Sequence, residues 1–144
     1  MSSSHTFFKE KRPWSRIKDE LLKSYLVPYL AKVSRTRRPI IVADCFAGKG
    51  CFDSGEPGSP MIIADVIKRQ LSDPTTQTIK GVFIEKKYFK ELKANMPTEA
   101  CFTLLEGNYE DKMDYFVNSY QSRKQNLFLY VDPYGIKSIY LLSL

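Results

Sequence analysis

A chain of 144 residues, 43% hydrophobic and 26% charged, can bury one core but not two, and its composition excludes both a disordered polar chain and a membrane bundle. Its 22 Lys and Arg against 16 Asp and Glu leave a net charge of +6, which suits an anionic partner such as RNA or DNA and equally serves plain solubility. Three cysteines without CxxC spacing exclude a disulfide framework and a zinc site, and the one histidine, His5, lies in a polar leader away from any catalytic pattern.

Residues 1–12 read as a flexible leader and 13–144 as a single domain. From Trp14 to Val33, Ile17, Leu21, Leu22, Tyr25, Leu26, Tyr29 and Leu30 follow the three-and-four rhythm of a helix, which Pro28 should kink or divide. A basic turn, Arg35 to Pro39, follows; its arginines suit phosphates or form a solvated turn. Ile40 to Phe46 is a continuous apolar run of the kind buried on both faces of a parallel sheet. The loop from Lys49 to Ser59 is longer than the ~2–6 residues usual after such a strand, which marks it as functional. Ser59 as N-cap and Pro60 at the first helical position then open a helix to Leu71. Strands at 81–85, 102–106 and 126–133 alternate with helices at 88–95 and 111–122, an α-β-α-β-α-β-α-β order. Right-handed crossovers make this a Rossmann-like, doubly wound α/β domain with a mostly parallel sheet. No run approaches the ~18 apolar residues of a membrane span, and no signal-peptide pattern opens the chain, so a cytoplasmic location without membrane contact is expected.

The residues that carry chemistry fall after the strands, at the edge where ligands of open α/β sheets bind. In Asp44-Cys45-Phe46-Ala47-Gly48-Lys49-Gly50 the glycines allow positive φ and close approach of backbone to a ligand, and Asp44 can accept from a cationic amine; an ordinary glycine turn is the alternative. The dinucleotide fingerprint fails because Asp53 stands at its third glycine, and the P-loop fails because Gly50 replaces its Ser or Thr. Glu85 either accepts ribose hydroxyls or is a solvated helix-start acid. Asn108 either meets an adenine edge or simply turns the chain. Asp132-Pro133-Tyr134 offers an acceptor, a stiff turn and a stacking face, or it is a strand stop.

Taken in order, Trp14 and Lys18, Asp44-x-Phe46-Ala47-Gly48-x-Gly50, Gly58-Ser59-Pro60, Glu85 and Asp132-Pro133-Tyr134-Gly135 resemble the three-Cys-motif partner proteins, a family similar to class I methyltransferases. The resemblance implies S-adenosylmethionine as cofactor, held by Asp44, Phe46, Ala47, Gly48 and Gly50 at its methionine part, by Glu85 at the ribose and by Asn108 at the adenine. It implies that Asp132, Pro133 and Tyr134 receive an amine or nucleobase carried on nucleic acid, with a three-Cys-motif protein as a further partner. A full methyltransferase sheet has three more strands, so truncation after the fourth strand is expected, with an open edge that invites a homo-oligomer. A non-catalytic methyltransferase-like binding protein is the alternative function.

Overall fold

The structure is a computed structural model, and it describes residues 8–76, 78–123 and 125–132. Helix α1 (Pro13–Val33) leads through a short 3-10 turn (Ser34–Thr36) into strand β1 (Ile40–Asp44). Then follow α2 (Ser59–Leu71), β2 (Ile79–Glu85), α3 (Phe89–Asn95), β3 (Phe102–Glu106), α4 (Tyr109–Arg123) and β4 (Asn126–Tyr130). The alternation expected from sequence is the one observed. All pairings are parallel, in the order β3-β2-β1-β4.

This order follows from right-handed crossovers that step outward twice from β1 and then jump back to its other side. The first two crossovers therefore lay α2 and α3 on one sheet face, and the third lays α4 on the opposite face. The packing agrees. Leu22, Leu26 and Leu30 of α1, Ile63 and Ile67 of α2 and Leu92 of α3 meet Ile40, Val42, Ile79 and Phe83 on one side. On the other, Phe116 of α4 meets Ile41, Ala43, Val82 and Ile84. All five β1 residues are buried, as its unbroken apolar run requires.

Three local expectations are corrected. Helix α1 is not divided at Pro28: it runs unbroken through that residue, whose missing N–H would have met the carbonyl of Ser24 on the exposed side, where water can serve it. Strand β1 ends at Asp44 instead of Phe46, because the Asp44 carboxylate accepts the Phe46 N–H at 3.2 Å and turns the chain. Ser59 is not the N-cap of α2: Gly58 holds that position, and the Ser59 hydroxyl donates to Asp44 Oδ2 at 2.5 Å.

The basic turn sits at the amino edge of the sheet, where Asn126 Nδ2 donates to Thr36 Oγ1 at 3.0 Å. The length of β1, about 13 Å at the usual rise, separates Arg35, Arg37 and Arg38 from the carboxyl edge. Whatever they meet, they do not flank the loops that follow the strands. Among the described residues no helix is long and apolar enough to cross a membrane.

Candidate functional site

Parallel register brings Asp44 level with Tyr130 on one neighbour and Phe83 on the other, so β1, β2 and β4 open together at the carboxyl edge. Between β1 and β4 the chain direction across the sheet reverses, and loops diverge there to leave a crevice. A cleft open to solvent lies at this point, enclosing about 60 Å³. The glycine turn (Phe46, Ala47, Gly48 and Gly50) forms one wall. Trp14, Ser15, Lys18 and Asp19 of α1 form the facing wall, and Tyr130 and Asp132 close the β4 side.

The turn is built from backbone constraints. Gly48 and Gly50 have φ of +68° and +89°, the left-handed region where a side chain would be strained. The N–H of Ala47 bonds to the Ile84 carbonyl at 2.9 Å. The N–H of Gly48 bonds to Glu85 Oε1, also at 2.9 Å, while Glu85 Oε2 accepts from the Tyr88 N–H at 2.9 Å. Glu85 is 2% exposed. Its carboxylate thus ties the turn after β1 to the end of β2, and the two sites that sequence placed in one pocket are joined directly.

Asp44 is fully buried, bonded to Ser59 and Phe46, and burial raises its pKa to about 7. Asp44, Glu85 and Asn108 lie outside the cleft lining. Asn108 follows β3, two strands from β1, and its neighbour Tyr109 meets Phe46 in a tilted ring contact with centroids 4.9 Å apart. Glu85 and Asn108 therefore lie along the carboxyl edge, beyond the cleft proper.

At the β4 side, Asp132 Oδ1 accepts from Lys18 Nζ at 3.1 Å, and Oδ2 accepts from the Tyr130 hydroxyl at 3.1 Å. Burial, reinforced by Asp132, pushes the Tyr130 pKa up, so its hydroxyl stays a donor. Lys18 Nζ also lies 4.8 Å from the centre of the Trp14 ring. Pro133 and Tyr134 fall outside the described residues.

Several cleft residues escape sequence reasoning. The buried face of α1 is Ser15, Asp19, Leu22, Leu26 and Leu30, whereas Ile17, Leu21 and Tyr25 are exposed. Extending the Leu22–Leu26–Leu30 rhythm backwards by three and four residues reaches Asp19 and Ser15, two polar groups on a core-facing stripe. That is the signal that marks them. Asp19 pairs with Lys11, and burial pushes its pKa up against that pairing. The Ser15 hydroxyl, on a residue 6% exposed, has no hydrogen-bond partner among the described residues.

The segment 8–12 packs across loop 49–58. Phe8 is 5% exposed, its ring meets Tyr88 edge-on at 4.9 Å, and its carbonyl accepts the Asp53 N–H at 2.6 Å. Lys11 Nζ donates to the Pro57 carbonyl at 2.9 Å, and Arg16 forms a two-pronged pair with Glu56. Phe8 and Lys11 were read from sequence as part of the leader; a lone aromatic in a polar stretch carries no periodicity that reveals its docking.

Compared with family models, curated proteins and solved structures, the chain matches none of them.

Proposed function

We propose that this chain is a methyltransferase-like protein that binds S-adenosylmethionine at the β1–β4 crevice and transfers its methyl group to an amine or nucleobase carried by nucleic acid. The observation that carries the reading is the bond between Gly48 N–H and Glu85 Oε1, which joins the glycine turn to the acid ending β2 beside a cleft at the switch point. A turn with two positive-φ glycines lets backbone approach a ligand without side chains between, and the unpartnered Ser15 hydroxyl gives the cleft an unused polar group. The residues therefore fit such a cofactor.

When bound, S-adenosylmethionine supplies an electrophilic methyl on a sulfonium sulfur. The chain's own task is to hold donor and acceptor in line and exclude competing water. Phe46, Ala47, Gly48 and Gly50 would hold the methionine part, with Glu85 and Asn108 toward the ribose and adenine. Glu85 also fixes the turn, so its contact with a ribose would use lone pairs left over from the two backbone bonds. Asp132 would orient the acceptor, with Pro133 and Tyr134 beside it as the resemblance to the three-Cys-motif partner family implies. Exposed Lys86 and Lys87, directly after β2, stand on the cleft edge of the sheet and suit a phosphate backbone.

Isothermal titration calorimetry with S-adenosylmethionine tests the reading. Saturable binding is expected, together with its loss in Gly48→Val, where a branched side chain would force φ and fill the approach to the turn. Absence of binding by the folded wild-type protein removes the proposal.

A further inference from the structure

Helix α1 carries two stripes. One, from Ser15 to Leu30, faces the sheet. The other is Trp14, Lys18, Leu21, Tyr25 and Lys32, whose spacings of three, four and seven put them on one face pointing away from the core. Trp14, Leu21 and Tyr25 are exposed, Tyr25 at 71%, on a helix face that solvent would ordinarily fill with charge.

The stripe joins two places already described. At its start, Trp14 and Lys18 line the cleft. At its end, α1 runs into the turn of Arg35, Arg37 and Arg38 at the amino edge of the sheet. From Leu21 to Ala43 the chain carries the cations Lys23, Lys32, Arg35, Arg37 and Arg38 and no acid at all. Lys32 in the last turn suffices for the negative end of the helix; the arginines lie beyond it. All three arginines are exposed, and among the described residues none is ion-paired.

The turn is nevertheless held firmly. The Thr36 hydroxyl donates to the Val33 carbonyl at 2.8 Å and accepts from the Arg38 N–H at 3.3 Å and from Asn126 Nδ2 at 3.0 Å. Arg37 sits at φ +59°, the one positive φ outside glycine among the described residues, where glycine or asparagine would be less strained. A strained, exposed and unpaired cation stabilises nothing within the chain, so its use lies in what it meets.

Rings alternating with cations along one line suit a single-stranded polyanion with free bases, because rings stack on any base while cations follow the phosphates. In a helix that lies on a membrane the cations occupy the face opposite the apolar one, whereas here Lys18 and Lys32 interrupt the apolar stripe itself. From Trp14 to Lys32 the stripe is about 27 Å long, room for roughly eight stacked nucleotides.

We infer that α1 is a track for single-stranded nucleic acid, with Trp14 and Tyr25 stacking on bases, Lys32 beside the phosphates, and Arg35, Arg37 and Arg38 anchoring the strand at the amino edge. The inference rests on the reading above for the acceptor lying in the cleft, and it adds that the acceptor arrives on a single strand laid along this helix.

The test is fluorescence anisotropy of the full chain with labelled oligouridylate and oligothymidylate of about four, eight and sixteen nucleotides. Affinity should rise up to about eight nucleotides and gain little beyond, and a duplex should bind more weakly because its bases are not free to stack. Tyr25→Ala, at an exposed position, should weaken single-strand binding about tenfold. Arg37→Gly places glycine at a φ it prefers, so its thermal midpoint should hold or rise while the plot of log affinity against log salt flattens by about 0.7. Tighter binding of one sugar supports the track and names its strand. Unweakened binding in both variants, equal binding of the duplex, or no binding by the wild type overturns the inference. Tyr25-dependent attachment to phosphatidylserine vesicles, or a Tyr25-dependent dimer in sedimentation, overturns it too when oligonucleotides do not bind. Failure here with S-adenosylmethionine still bound in calorimetry leaves the cofactor reading standing; oligonucleotide binding that the α1 variants lose, without S-adenosylmethionine binding, leaves the track and removes the cofactor.

Discussion

The glycine-turn wall and the α1 wall of the cleft stand in contrast. In the first, polar groups are saturated from within: Glu85 accepts two backbone N–H groups, and Asp44 accepts one N–H and one hydroxyl. In the second, one buried hydroxyl has no partner among the described residues and the ion pair of Lys18 with Asp132 is half exposed. The difference separates a saturated wall, a scaffold, from one whose polar groups are not all used. Groups that hold a backbone shape are buried and mutually satisfied, whereas groups that meet a ligand keep some capacity in reserve.

Breaking the scaffold side should cost most. Glu85→Ala strands the N–H groups of Gly48 and Tyr88, and two lost bonds to a buried carboxylate predict about 3–6 kcal/mol of destabilisation in urea denaturation. A loss below about 1 kcal/mol would mean the turn is held by other contacts. Next comes Asp44. Its pKa near 7 in the folded chain, against 3.8 unperturbed, means the folded state holds a proton that the unfolded chain releases. Stability should therefore fall as pH rises from about 4 to about 7 and level off above, by up to about 4 kcal/mol from this residue. Asp44→Asn should remove that part of the slope, measured by denaturation at pH 5 and pH 8, while Asp19, also shifted upward by burial, keeps a part of its own. An unchanged slope would show that Asp44 is already ionised within the fold. On the other wall, Lys18→Met should change stability by less than about 1 kcal/mol, since both partners of its ion pair are part-exposed. A large stability loss there would erase the contrast.

The sheet was legible in the sequence because burial on both faces forces unbroken apolar runs, and β3 matches its expected span from Phe102 to Glu106. Strand ends were less so. Strand β2 begins at Ile79, before the apolar run from Gly81, because the exposed Lys80 interrupts the pattern while its backbone still pairs with Ile41. At the site, the pairing of the Gly48 turn with Glu85 was legible because both lie at strand ends of known topology. Ser15 and Asp19 were not, since a buried polar residue in a helix looks like a solvent-facing one until its phase is fixed. The partners of Ser59 were missed for a related reason: a serine before a proline reads as a cap, and only the fold reveals that Asp44 competes for its hydroxyl.

Cys51 lies in the cleft lining between Gly50 and Phe52 and is unpaired. The Cys45 thiol, by contrast, is buried on the α4 side and pushed by that burial to a pKa of about 12, where it scarcely reacts. The molecule thus carries its own occupancy gauge. In a Cys101→Ser background, the rate at which an alkylating reagent modifies the remaining thiols reports directly whether the crevice is filled, with no need to know what fills it.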